Sequence, residues 1–148
     1  MLAFPLQRGR IRFLSVQGLT AMKLTETIAY WVATLLMFAL MLMAIISYHV
    51  DHDRMAGYFE HFGYPTYIVY PLAYAKALAL IAIATNYYRN LKDIAYGAYF
   101  LNMVAATVGH VMAGDQPIHA YVGLVAVPVS YILSNRVRGE PKRDAFLL

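Results

Sequence analysis

Cysteine is missing from the sequence, and charged side chains are scarce. With no cysteine among its 148 residues, the chain by itself forms no disulfide, holds no thiolate metal site and performs no thiol–disulfide exchange. Only 14% of its residues are charged and 61% are hydrophobic, whereas soluble domains are about 25% charged. This composition excludes an ordinary soluble domain and indicates one small integral membrane domain.

The formal net charge of +4 raises the question of a nucleic-acid partner. The basic residues flank apolar runs and do not form a patch interleaved with aromatic rings, which is how residues that determine membrane topology are placed. The sequence therefore predicts a lipid bilayer as the partner and no nucleic acid.

Four apolar segments have the length of about 20 residues that a helix needs to cross a bilayer. The short connections after the second and third segments favour antiparallel neighbours. We therefore predict an all-α fold, a four-transmembrane-helix up-down bundle. Its predicted spans are 27–48, 66–86, 94–112 and 118–135.

The segments outside the spans predict the rest of the domain plan. Residues 49–65 are typical of a short external amphipathic helix between spans one and two. Because basic residues concentrate on one side of the bundle, both termini are predicted to be cytoplasmic. The plan is a basic cytoplasmic leader or interfacial segment over 1–23, a membrane domain over 24–135 and a basic, poorly ordered cytoplasmic tail over 136–148. Met22 is an alternative start to Met1.

Lys76 is the first candidate functional residue because it lies near the middle of the second span. A lysine at the bilayer centre costs roughly 2.5–3.5 kcal/mol on insertion scales, so it normally faces a protein interior or a wet cavity. There it binds an anionic or carbonyl headgroup, acts as a base, or only ties helices together by hydrogen bonds. Asn102 lies at a similar depth on span three, and we expect the two side chains to be in contact.

Span three carries a polar stripe. Tyr99, Asn102, Ala106 and His110 recur at spacings of three and four residues, which places them on one face of a helix. This face is predicted to line a polar cavity that leads from the bundle core toward the outer end.

The predicted topology gathers all five histidines at the outer end of the bundle, together with Asp115. Imidazole and carboxylate are ligands for zinc, copper, nickel or iron, so His49, His52 and His119 are candidate metal ligands. The alternatives are wet surface groups beside the membrane and proton or quinol chemistry. Tyrosines near span ends, among them Tyr30 and Tyr48, are predicted to anchor the bundle at the membrane interface.

Several short segments agree with a known family in their order and spacing. They are Phe62-Gly-Tyr-Pro-Thr-Tyr67, Pro71-Leu-Ala-Tyr-Ala-Lys76, Leu91-Lys-Asp-Ile-Ala-Tyr-Gly97, Ala105-Ala-Thr-Val-Gly-His110, Gly114-Asp115 and Ser130-Tyr131. Through them, residues 23–135 resemble the DoxX-like family of small bacterial membrane proteins. The resemblance implies a four-helix protein of the bacterial inner membrane and matches the family's polar pattern at Lys76, His110 and Asp115.

Three functions stay open. Because the sequence contains no complete catalytic or cofactor motif, we predict a non-catalytic accessory or assembly subunit with protein partners or a homo-oligomer. The resemblance agrees with this, since some relatives are associated with thiosulfate:quinone oxidoreductase or with membrane-linked oxidative-stress complexes. The alternative is a quinone- or redox-associated protein with a pocket around Lys76, Asn102 and His110. A third hypothesis is a transporter of a small solute or protons. Quinone is the one cofactor implied, and no residue motif establishes it.

Overall fold

The computed structural model describes the backbone of residues 7–145 and the side chains of residues 21–145. Within these ranges the fold is all-α. A short 3-10 turn, Thr66–Ile68, precedes the third helix. The α-helices are α1 (Gln7–Val50), α2 (His52–His61), α3 (Val69–Thr85), α4 (Arg89–Met112) and α5 (Ile118–Arg138).

The four long helices are apolar and long enough to cross a membrane, which confirms the predicted four-span, all-α fold. The spans are Ala21–Val50, Thr66–Thr85, Arg89–Met112 and Ile118–Arg138. The short helix predicted between spans one and two is α2. Residues 1–6 of the predicted leader lie outside the described residues, and the backbone from Gln7 onward is already helical.

The spans form a closed ring in which α1 and α4 each contact both α3 and α5. The interior of the ring is filled mainly by long, adaptable or aromatic side chains. Met37, Met41, Tyr96, Tyr99 and Met103 belong to this core. Methionine and tyrosine suit the space between helices because they fill irregular gaps and bury large areas.

Hydroxyl groups join three helices inside the bundle. The Ser130 hydroxyl lies 2.7 Å from the Thr34 hydroxyl of α1 and 2.8 Å from the Tyr96 hydroxyl of α4. Interhelical hydrogen bonds of this kind are worth about 0.6–2 kcal/mol each in a membrane protein. Tyr30, predicted as an interface anchor, is instead fully buried, because the face of α1 that carries it turns toward the core.

The end of the bundle that carries the chain termini is more ordered than the sequence predicts. Lys92, which the sequence offers only as a topology residue, is 1% exposed and donates a hydrogen bond to the Asn135 side chain at 2.5 Å. The expectation of a poorly ordered tail is wrong for residues 139–145. Asn90 holds the Ala145 backbone by two hydrogen bonds, at 2.6 and 2.8 Å.

Arg138 binds the last carbonyl groups of α3. Its guanidinium donates to the carbonyl oxygens of Ile83 and Ala84, each at 2.8 Å, and these acceptors have no partner within their own helix. We expect Arg138→Met to lower the free energy of unfolding by about 1–3 kcal/mol, because hydrogen bonds from a charged donor are lost. Reversible unfolding in mild detergent, followed by circular dichroism, measures this loss.

Arg136 supplies the matched control for that prediction. It is 61% exposed and pairs with Glu26 at 2.9 Å, an arrangement worth less than about 1 kcal/mol. Arg136→Met should therefore leave stability almost unchanged. Equal losses in the two variants would contradict a capping role for Arg138.

Candidate functional site

A cavity of about 800 Å³ lies between α1, α3 and α4, and it reaches α2 and the start of α5. Its size falls in the range of about 300–1,000 Å³ that is typical of small-molecule sites. Most of its wall is apolar or aromatic. The apolar lining includes Leu40, Met43, Met55, Phe59, Phe62 and Leu72.

All five residues predicted for the pocket line this cavity. They are Lys76, Tyr99, Asn102, His110 and Asp115. The helical spacing places Tyr99, Asn102 and His110 along one side of α4, and α3 supplies the lysine from the facing side. The structure therefore brings these side chains together, and their role in binding a ligand stays a prediction.

Lys76 is 5% exposed, and its amine has no hydrogen-bond partner among the described residues. Its Nζ atom lies 4.9 Å from the centroid of the Tyr48 ring, within the range of a cation–π contact. The expected contact with Asn102 is not made as a hydrogen bond, because both side chains face the same open volume. Buried polar groups are almost always hydrogen-bonded, so this amine is an exception with a cavity beside it.

Tyr99 is the second exception in the same cavity. Its side chain is 3% exposed, and its hydroxyl has no hydrogen-bond partner within the described part of the chain. Tyr96, one turn earlier on α4, bonds to Ser130. The Tyr96 hydroxyl therefore joins two helices, whereas the Tyr99 hydroxyl has no protein partner in the described residues and belongs to a residue that lines the cavity.

At the α2 end of the cavity, the side chains of His110 and Asp115 lie next to each other. His110 Nδ1 lies 3.3 Å from Asp115 Oδ2, and the turn that follows α4 brings the two together through a bond from the Asp115 amide to the His110 carbonyl. The His110 ring also packs against the rings of Phe62 at 4.2 Å and His119 at 5.1 Å between centroids. His110 is therefore held in place from three sides.

The connection after α2 closes against α4 and completes the cavity wall. The Tyr64 hydroxyl donates to the Ala105 carbonyl at 2.9 Å. A Cβ added to Gly109 would lie 3.0 Å from Tyr64 Cε2 and 3.2 Å from Phe62 Cβ, so the glycine permits this close approach. Sequence reasoning missed these aromatic wall residues, although the alternation of aromatic residues with Gly63 was a signal for them.

A model of the DoxX-like family matches residues 32–133, more than half of the chain and a range that includes the whole cavity lining. The chain belongs to the DoxX-like family. This confirms the resemblance, and together with the four spans it shows that the protein is a multi-pass membrane protein of that family. Searches of curated proteins and of solved structures found no match.

Four of the five histidines of this DoxX-like protein form two separate pairs, and His61 packs against Phe62. His49 and His52 pack against Tyr70, with ring centroids 5.5 and 4.3 Å away, and they lie outside the cavity lining. His119 contacts His110 on the cavity side. The three predicted metal ligands are thus not brought together, and the described residues contain no group of three or more His, Cys, Asp or Glu side chains able to hold a metal ion.

The cavity of the DoxX-like protein is therefore polar at two levels. Two hydrogen-bond donors, the Lys76 amine and the Tyr99 hydroxyl, lie at depth, and the His110 and Asp115 pair lies toward α2. The rest of the lining is mainly apolar and aromatic and also includes Ser47, Arg54, Asn102 and Gln116. This arrangement suits a molecule with a hydrogen-bond acceptor at one end and an apolar body.

Proposed function

We propose that the DoxX-like protein binds a membrane-soluble small molecule in this cavity and performs no chemistry of its own on it. The headgroup of the ligand accepts hydrogen bonds from Lys76 Nζ and the Tyr99 hydroxyl. The observation that carries the proposal is that two deeply buried donors, without partners among the described residues, line one cavity of ligand size.

The energetic reason is the cost of an unused donor. A buried polar group without a hydrogen bond costs about 1–3 kcal/mol, and more if it is charged. Lys92 shows the alternative, because that buried lysine donates to Asn135 and joins two helices. If Lys76 only tied helices together, it would be expected to have a partner of the same kind. An acceptor on a ligand removes the cost and converts it into binding free energy.

A quinone has the required features, since its carbonyl oxygens accept hydrogen bonds and its tail is apolar. The association of some DoxX-like relatives with thiosulfate:quinone oxidoreductase supports this ligand class. A ligand-binding subunit without a reaction of its own also fits the predicted accessory role in a larger membrane complex. Transport of a small solute or protons remains the third hypothesis, and flux into proteoliposomes tests it.

Extraction of the purified protein tests the proposal. The protein is isolated in mild detergent, and the small molecules that accompany it are identified by mass spectrometry. We expect one lipophilic species with a carbonyl or anionic group in a fixed ratio to protein. In Tyr99→Phe that ratio should fall roughly two- to tenfold, which corresponds to one lost hydrogen bond.

Tyr30→Phe is the matched control for this experiment. Tyr30 is also a buried tyrosine whose hydroxyl has no partner among the described residues, but it does not line the cavity. Its removal should leave the co-purified species unchanged. Bulk phospholipid alone, in equal amounts in all three proteins, would contradict the proposed function. Other proteins that co-purify in the same sample test whether the protein is an accessory subunit of a larger complex.

A further inference from the structure

The charges of the cavity define its ligand more narrowly, on the basis of the proposed function. We propose that the bound molecule is an anionic amphiphile, with a carboxylate headgroup against Lys76 and an apolar chain along the aromatic wall that α2 and its following connection supply. The ligand then provides the counterion that the protein itself does not place beside this lysine.

Among the described residues, the cavity lining holds no unpaired carboxylate. Asp115 is the one carboxylate among the described residues that line the cavity, and it is already paired with His110 at 3.3 Å. The Lys76 amine has no hydrogen-bond partner among the described residues, so Asp115 makes its contact with His110 and none with the lysine.

The Lys76 amine lies beside an aromatic ring. The Tyr48 ring, 4.9 Å from Nζ, attracts a cation through its negative face and offers little to a neutral amine. The ring therefore offers a contact to an ammonium group but supplies no negative charge. An uncompensated ion in a low-dielectric site is costly. A neutral carbonyl ligand such as a quinone accepts hydrogen bonds from both donors but leaves the ion uncompensated, so of the carbonyl and anionic ligands that the proposed function allows, the charge of the lysine favours the anionic one.

The cavity offers two buried hydrogen-bond donors, Lys76 Nζ and the Tyr99 hydroxyl, to one headgroup. A carboxylate has two oxygens and about four lone-pair sites, so one headgroup accepts from both the Lys76 amine and the Tyr99 hydroxyl. Hydrogen bonds between charged partners are roughly twice as strong as neutral ones. The apolar chain then lies against Met55, Phe59 and Phe62, which line the same cavity nearer α2.

Two probes of similar shape, of which only one is charged, test whether the site selects its ligand by charge. Radiolabelled dodecanoate and its methyl ester have the same chain and carbonyl group, but only the acid carries a charge. Each is equilibrated with proteoliposomes at about pH 8, well above the ordinary pKa of a carboxyl group. Binding to protein-free liposomes is subtracted. For each probe, binding to the wild type is compared with binding to each variant. The two probes partition differently into the bilayer, but this difference cancels because each comparison uses a single probe.

We expect Lys76→Met to weaken dodecanoate binding tenfold or more and to change ester binding far less, because only the acid loses an ion pair. Lys92→Met removes a buried lysine outside the cavity and should leave the binding of both probes unchanged. Tyr99→Phe keeps the charge and the ring, and should weaken dodecanoate roughly two- to tenfold, so the site is also tested if Lys76→Met does not fold.

Equal sensitivity of the acid and the ester to Lys76→Met would overturn the anionic assignment while leaving a ligand site in place. Binding of neither probe, in a protein that still co-purifies with a neutral lipophile, would also overturn it without affecting the proposed function. The absence of both probe binding and a co-purified species would refute the proposed function itself.

Discussion

Replacing Lys76 with methionine is expected to raise the free energy of unfolding of the ligand-free protein by about 1–3 kcal/mol. Methionine keeps the length of the side chain and removes a buried charge that has no partner among the described residues. Replacing buried ions with apolar residues of similar size is often stabilising by such amounts, and a lysine at membrane depth carries an insertion cost of a similar order. Reversible unfolding of delipidated protein in mild detergent measures the change.

Lys92→Met is the control, and we expect it to lower the free energy of unfolding. Lys92 is 1% exposed, against 5% for Lys76, but it bonds to Asn135, so its removal leaves a hydrogen-bond acceptor unused and should destabilise the protein by about 1–3 kcal/mol. A bound anionic ligand should offset the advantage of Lys76→Met, because it binds the wild type more tightly and therefore stabilises it more. Equal destabilisation by both substitutions would mean that Lys76 joins helices as Lys92 does.

Gly123→Leu is the second substitution with a large expected effect, a loss of about 1–3 kcal/mol in the free energy of unfolding. Even a bare Cβ at Gly123 would lie 2.8 Å from Met103 Cγ and closer still to its sulfur, so a leucine has to displace the Met103 side chain from the contact between α4 and α5. Overpacking of this kind typically costs about 1–3 kcal/mol, occasionally more, and small residues are what let membrane helices approach closely. Thermal unfolding in detergent provides the measurement.

Gly97 is the control position for this prediction. It lies inside α4, and nothing lies within 4 Å of a Cβ added there, so Gly97→Leu should not lower stability. Met103→Ala should recover part of the loss when it is combined with Gly123→Leu, because it clears the space that the leucine enters. Additive losses in the double variant would show that the glycine is needed for some reason other than contact with Met103.

The spans and the polar stripe could be predicted because both depend on local patterns. Length and apolar content identify a membrane-spanning segment wherever it packs. The spacing of Tyr99, Asn102 and His110 fixes their common face on α4 from helix geometry alone. Lys76 could be identified because a charge at membrane depth is costly in almost any arrangement. These inferences needed no knowledge of which helices are neighbours.

The features that were not predicted depend on how each helix is rotated about its own axis and on contacts between distant segments. Tyr48 and Tyr30 both lie near span ends, where a tyrosine ordinarily marks the interface, yet one lines the cavity and the other is buried in the core. Lys92 is buried and donates a hydrogen bond to Asn135, which lies 43 residues later in the chain. His49 is one residue from the end of α1, and the rotation of that helix turns it toward Tyr70 and away from the cavity.

The interior around Lys76 provides the most direct test of the ligand-binding account. A crystal structure of the protein, purified gently and grown in a lipidic phase, shows directly what contacts Nζ. We expect non-protein density in the cavity, with an acceptor atom at about 3 Å from Lys76 Nζ and an apolar body that extends toward α2. A lysine hydrogen-bonded to a side chain of its own bundle, such as Asn102, in a cavity without ligand density would contradict the account.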